Sequence, residues 1–167
     1  MKNINVLPII YKDIMGKEID INNEDNRDIL QKLVYLLSEL RIFVEEYKFT
    51  YDKNVGPFSQ SLENDIMEIN VKNMPFDELT ANSNDAISYL KEVVDQNNGK
   101  YSERAWLENI ASQVYMKKYM YPSESFVLIR HRVCNDHKDF CGNDTINTIC
   151  SGLARTIIIL NNKGEQV

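Results

Sequence analysis

Long apolar runs are missing from this 167-residue chain. A membrane-spanning helix needs roughly 20 consecutive apolar residues, and the stretch from Arg155 to Leu160, the best C-terminal candidate, is far shorter. The N-terminal segment from Met1 to Asn22 is broken repeatedly by Asn, Lys and Asp, so it lacks the apolar centre of a secretory signal. Excess positive charge is missing too: 19 Lys and Arg face 25 Asp and Glu, a net charge of −6. Non-specific nucleic-acid binding is driven by Lys and Arg releasing counterions from phosphates, so this balance argues against a chain that wraps DNA. Cysteines number only three, all near the C-terminus, which is not the pattern of a secreted disulfide framework. A cytoplasmic protein without membrane contact is the expectation.

Signatures of catalysis are equally scarce. There is no nucleophile elbow, no glycine-rich phosphate loop, no His-Glu-x-x-His and no paired-carboxylate pattern. Gly56 and Gly99 stand alone as turn glycines. The expectation is a non-enzymatic protein with no cofactor.

What is present is helical periodicity. Val6 to Met15 reads as a short helix with Pro8 in its first turn and Gly16 as its stop. Glu18 to Asn22 fits either an extended linker or a short edge strand. Asp25-Asn26 caps a helix over 27–41, where Ile29, Leu33, Leu36, Leu37 and Leu40 form a broad apolar stripe. Aromatic and β-branched alternation predicts a strand within 42–52. Lys53 to Pro57 reads as a turn, with Pro57 pre-setting a helix start, Ser59 as cap, and Leu62, Ile66 and Ile69 as the inner face of a helix over 59–70. Val71 to Leu79 reads as a second extended segment, and the polar run from Thr80 to Asp85 as a hinge. Four helices follow: one striped by Ile87, Leu90 and Val94 that stops near Asn98-Gly99; one capped by Ser102 with Trp106, Leu107, Ile110, Ala111 and Val114 inward; one over 123–138 opened by Pro122-Ser123; and a last one capped by Asn143-Asp144 and striped by Ile146, Ile149, Leu153, Ile157 and Leu160. The architecture expected is mainly α with a minor β element, divided as 1–79 and 80–167 around one shared core.

The residues Lys32-Leu-Val-Tyr-Leu-Leu37, then Tyr47-Lys-Phe-Thr-Tyr51, then Gly56-Pro-Phe-Ser59 with Leu62 and Asp65-Ile66, resemble a winged-helix-like family of small bacterial and phage proteins typified by YwgA. A more distant likeness is to the Panacea or SocA-like antitoxin domains. Trp106-Leu-Glu-Asn-Ile-Ala111 and Tyr115 continue the likeness more weakly. The resemblance implies a winged helix-turn-helix core with an appended helical bundle, no known enzymatic chemistry, and no particular partner.

A helix-turn-helix protein aims the N-terminal residues of its second helix at base edges. Here that helix offers Gln60 and Asn64, which suit adenine, beside Glu63, Asp65 and Glu68. Over residues 43–69 the acids Glu45, Glu46, Asp52, Glu63, Asp65 and Glu68 face only Lys48 and Lys53. The preferred reading is therefore a regulatory or inhibitory module that binds another protein, of the sort found in phages and bacterial defence loci. Tyr47, Phe49, Tyr51 and Phe58 would be its aromatic anchors, and Glu63, Asp65 and Glu68 an acidic rim or a mimic of phosphate charge. The alternative is a DNA-binding regulator or antitoxin acting as a homodimer. For that reading Lys117, Lys118, Arg130, Arg132 and Lys138, against Glu124 and Asp136, supply a basic stretch; a solvated helix face explains the stretch as well.

Both histidines and all three cysteines fall within twenty residues: His131-x2-Cys134-x2-His137-x3-Cys141, then Cys150. Two His and two Cys suit zinc. On one unbroken helix, however, His131 and Cys141 would stand roughly 15 Å apart at 1.5 Å per residue, so the set needs a break near Asn135-Asp136. Without the break the cysteines are small hydrophobes packed against the last helix. No metal is expected; His131, Cys134, His137 and Cys141 are the residues that would hold one.

Overall fold

The computed structural model describes residues 4–42, 47–69 and 81–165. It is mainly α, with seven α-helices and one two-stranded antiparallel sheet among the described residues. In chain order these are α1 (Val6–Met15), α2 (Glu24–Glu39), β1 (Thr50–Asp52), β2 (Gly56–Phe58), α3 (Gln60–Met67), α4 (Ala81–Asp95), α5 (Glu103–Tyr115), α6 (Phe126–Asp136) and α7 (Asp144–Glu165). A π-helical turn, Met116–Met120, continues α5, and a short 3₁₀ turn, Lys138–Phe140, follows α6.

Local chemistry sets most of the ends. Gly16 takes φ +75° and returns its N–H to the Lys12 carbonyl, closing α1. Asn23, rather than Asp25 or Asn26, caps α2, and Glu24 and Asp25 then lie in the first turn, where the helix dipole favours acids. Ser59, Ser102 and Ser125 each accept an N–H from the first turn of α3, α5 and α6. The expected opening of α6 at Pro122-Ser123 is thus displaced to Ser125, and α6 ends at Asp136 rather than 138.

Three other expectations are corrected. The predicted strand over 42–52 shrinks to Thr50–Asp52, with Tyr47 to Phe49 irregular and 43–46 outside the described residues. Gly56 to Phe58 is the partner strand rather than part of a turn, pairing Thr50 with Phe58, Tyr51 with Pro57 and Asp52 with Gly56. Pro57 is tolerated because a two-stranded sheet consists of edges. The polar run expected as a hinge forms the first turns of α4 from Ala81 onward; Thr80 and the expected segment 71–79 lie outside the described residues. Residues 18–22 form no strand.

One core runs through the molecule. α5 is its axis, packed between α2, α7 and the hairpin, while α1 lies against α4. Trp106 is fully buried and donates its indole N–H to the Val93 carbonyl at 2.9 Å. Every residue from Trp106 to Val114 is buried, so α5 takes Glu108, Asn109, Ser112 and Gln113 into the interior with it. On α7 the buried face runs through Asn147, Cys150, Ser151, Ala154, Ile157 and Asn161, whereas Leu160 of the expected stripe is exposed. No described helix is long and apolar enough to cross a membrane.

Candidate functional site

The segment Gly56 to Ser59 is fixed from beneath by two side chains of α2. Gln31 donates its amide N–H to the Ser59 carbonyl at 2.9 Å and accepts the Ser59 N–H at 3.0 Å. Lys32, only 1% exposed, donates Nζ to the Pro57 carbonyl at 3.0 Å. Gly56 has φ +79°, and a Cβ there would stand 2.6 Å from Ser112 Oγ of α5. The Lys32 and Gln31 side chains thus give the Pro57 carbonyl and the Ser59 N–H buried partners, while the Ser59 carbonyl accepts from Glu63 N–H as well. They also hold α3 at a defined height above the core.

That anchoring decides which predicted binding residues are free. Tyr47 donates its hydroxyl to Asp65 at 2.8 Å. Phe49 meets Tyr35 edge-on with centroids 5.2 Å apart, and Tyr51 stacks on Tyr115 and donates to Asp136 at 2.6 Å. Burial and the Asp136 carboxylate push the Tyr51 hydroxyl well above the ordinary phenol range. Phe58 is half-buried in β2. Tyr47, Phe49 and Tyr51 thus each make a contact within the protein, and Tyr47 and Phe49 still present a side to the neighbouring cleft. Glu63 is likewise engaged, by Arg27 at 3.0 Å and Gln31 at 3.3 Å. What α3 leaves outward is Gln60, Ser61, Asn64, Met67 (54% exposed) and, just after it, Glu68. Gln60 donates to Asn64 at 3.1 Å, so the two amides meet along the helix.

Beside the hairpin lies a cleft of about 370 Å³ walled by Tyr47, Phe49, Tyr115 and Tyr119. Its polar end is satisfied internally: Glu39, 5% exposed, accepts from Lys118 Nζ and from the Tyr119 hydroxyl, both at 2.7 Å. The basic stretch is similarly occupied. Lys117 donates to the Pro122 and Glu124 carbonyls, Arg130 to Ser151, and Arg132 makes a two-pronged pair with Glu124 while lying 3.7 Å over the Tyr121 ring. Lys138 is exposed.

The chain does break after Asp136, as a four-ligand site would require, but the ligands are not brought together. Cys134 and Cys141 form a disulfide with Cα atoms 5.0 Å apart, a correction to their reading as small hydrophobes buried against the last helix, which holds for Cys150 alone. His131 is exposed, and His137 turns inward to Glu108. Among the described residues no group of three or more His, Cys, Asp or Glu is arranged to hold an ion. Cys150 is buried, which pushes its thiol up to about 12.

The interior of α5 holds a charge cluster that periodicity did not single out. Burial raises the Glu108 carboxyl to about 7 and lowers Lys32 to about 8. Arg104 pairs with Asp25 at 2.7 Å and with Asp28 at 3.1 Å, and burial holds the Asp28 carboxyl above its ordinary range despite that pair. A clue was present in the sequence: α5 carries polar residues at positions 108, 109, 112 and 113, interleaved among apolar ones on every side, so no wet face exists to receive them.

Comparison with protein-family models, with curated proteins and with solved structures finds no match to this chain.

Proposed function

We propose that the protein works by binding another protein through the outer face of α3 and the adjoining aromatic cleft, as a regulatory or inhibitory module without catalysis of its own. The observation that carries this reading is the makeup of that face. Gln60, Asn64 and Met67 are exposed on a helix without a single Lys or Arg, and the exposed Glu68 follows it. A DNA-reading helix is drawn to phosphates by cations on or beside it. This one adds carboxylates and an exposed thioether, a side chain that adapts to apolar partner surfaces. Arg27 offsets Glu63, while Asp65, held by the neutral Tyr47 hydroxyl, and the exposed Glu68 keep the face acidic.

The second reading, a DNA-binding regulator, is supported by Gln60 and Asn64 standing exposed at the start of α3. The engagement of Lys117, Lys118 and Arg132 in contacts with this chain's own carboxylates and carbonyls weighs against it. An affinity capture from nuclease-treated extract separates the two. The protein-binding reading expects one discrete partner in stoichiometric amount, retained without nucleic acid and lost with Met67→Lys. Retention that depends on intact nucleic acid contradicts it.

A further inference from the structure

The disulfide between Cys134 and Cys141 lies at the surface. Cys134, in the last turn of α6, is half-buried, and Cys141, three residues before α7, is exposed. Both residues border an open cleft of about 200 Å³, walled also by Arg130, His131, Gly142 and Asp144. Exchange proceeds by attack of a thiolate on one sulfur, so access decides which bridges are labile, and this one is open to solvent. Cys150, by contrast, is fully buried and takes no part.

The bridge closes a loop that carries a contact between α6 and the hairpin. Asp136, two residues after Cys134, accepts the Tyr51 hydroxyl at 2.6 Å, and α6 ends there. Tyr51 lies in β1, opposite Pro57 of β2. The two flanks of the loop are held by other means. Val133 is buried, and so is Phe140, whose carbonyl accepts from Asn147 of α7 at 2.7 Å. Breaking the bridge therefore leaves Val133 and Phe140 seated but frees the end of α6 to fray, and Asp136 moves with it. The opened pair stays within reach of itself: Cys141 Sγ lies 3.2 Å from the Cys134 carbonyl, an acceptor that a reduced thiol can use.

We propose that Cys134 and Cys141 form a reversible thiol–disulfide exchange site whose state sets how firmly the hairpin is fastened to α6. The co-reactant is a dithiol. Its thiolate attacks the exposed Cys141 sulfur, the bond between the two cysteines breaks, and the electron pair leaves on Cys134, which takes a proton from water. The second thiolate of the dithiol then attacks the mixed disulfide and releases the Cys141 thiolate, which is protonated in turn. The cysteine pair gains two electrons and two protons, and the dithiol becomes a disulfide. Arg130, one turn before Cys134, meets the neutral Ser151 hydroxyl at 3.1 Å and so brings positive charge to the same cleft. That charge eases departure of the Cys134 thiolate, with Asp144 offsetting part of it. The proposal is independent of the α3 reading.

The test takes the whole oxidised protein through dithiothreitol and back with oxidised glutathione, followed by intact mass after alkylation and by residue-resolved amide exchange. Under native conditions about 1 mM dithiothreitol should open the bridge within minutes, with two cysteines alkylated and Cys150 spared, and reoxidation should restore the starting state. Reduction should speed exchange about three- to tenfold over residues 134–141 and at the hairpin amides, and leave α1 and α4 unchanged. Tyr51→Phe removes the tether, so its hairpin should exchange at the faster rate whether the bridge is open or closed. Cys134→Ser combined with Cys141→Ser should match the reduced wild type; if that variant fails to fold, the reduced wild type and Tyr51→Phe decide. A bridge that opens only when the protein unfolds, or thiols that oxidised glutathione does not close, overturns the proposal. So does a hairpin whose exchange changes by less than about twofold on reduction, or one that still responds in Tyr51→Phe.

Discussion

Helices α3 and α5 are both rich in polar residues, and they spend them in opposite directions. α3 keeps Leu62 and Ile66 inside and sends Gln60, Ser61 and Asn64 to solvent. α5 buries Glu108, Asn109, Ser112 and Gln113 along with Trp106 and Ile110. The inner polar groups of α5 are largely knitted together: Gln113 donates to Asn109 at 2.8 Å, and Asn109 donates to Asn147 at 2.9 Å. A surface helix can trade its polar residues freely, whereas a buried one holds each in a fixed role. The predictions below probe that contrast.

The largest effect is expected where α5 and the hairpin touch. Gly56→Ala places a methyl 2.6 Å from Ser112 Oγ at φ +79° and should cost about 3 kcal/mol or more in denaturant unfolding. Gly99→Ala, at φ +76° with nothing within 4 Å, should cost only about 1 kcal/mol. Next comes Gln31→Leu, which removes the two hydrogen bonds Gln31 makes to the buried Ser59 backbone, leaving its N–H unpaired, and should cost about 2–3 kcal/mol, against a change within about 0.5 kcal/mol for Gln60→Leu on the outer face.

Glu108→Gln sharpens the comparison through pH. The folded-state Glu108 lies near 7, raised above its ordinary 4.5, so its stabilising contribution is complete below about 4.5 and lost as pH rises through 7. Glutamine does not titrate. The stability of Glu108→Gln relative to wild type should therefore rise by about 1–3 kcal/mol between pH 5 and pH 8, read from thermal or denaturant melts. Loss of the carboxylate also pushes Lys32 further down, which acts in the same direction. A constant difference across that range would contradict the buried position of Glu108.

The smallest effect concerns the disulfide. The loop it closes is short, with a separation of 7 residues, so reduction, or Cys134→Ser, should lower stability by about 1–2.5 kcal/mol. Reductant should leave the melting of Cys134→Ser unchanged.

Much of α1 and α3 was legible because each has one wet side and one dry side, so a 3.6-residue period separates them, and because Gly16, Ser59 and Ser102 mark ends by local chemistry; α2, buried without a break from Asp28 to Leu37, was legible from the helical spacing of its leucines and Ile29. The start of α4 was not, because Asn82, Ser83 and Asn84 favour turns by composition while the packing of the helix against α1 overrides that preference. The burial of Lys32 was hidden for a related reason: a long basic side chain reads as surface until a backbone carbonyl is placed over it, here that of Pro57, 25 residues away. Glu108 and His137 meet only in three dimensions, since they come from the buried axis of the fold and from the break after α6. The aromatic run from Tyr47 to Tyr51 was visible, but its partners Tyr35, Tyr115 and Asp136 lie on other elements, so its contacts within the protein were not.

The central claim, that α3 faces a protein and not a polyanion, is tested most directly by anisotropy titrations of mixed-sequence duplex DNA at several salt concentrations. No binding at about 50 mM salt and micromolar protein is predicted. Affinity that falls steeply with salt, and is lost on Gln60→Ala with Asn64→Ala, would contradict it.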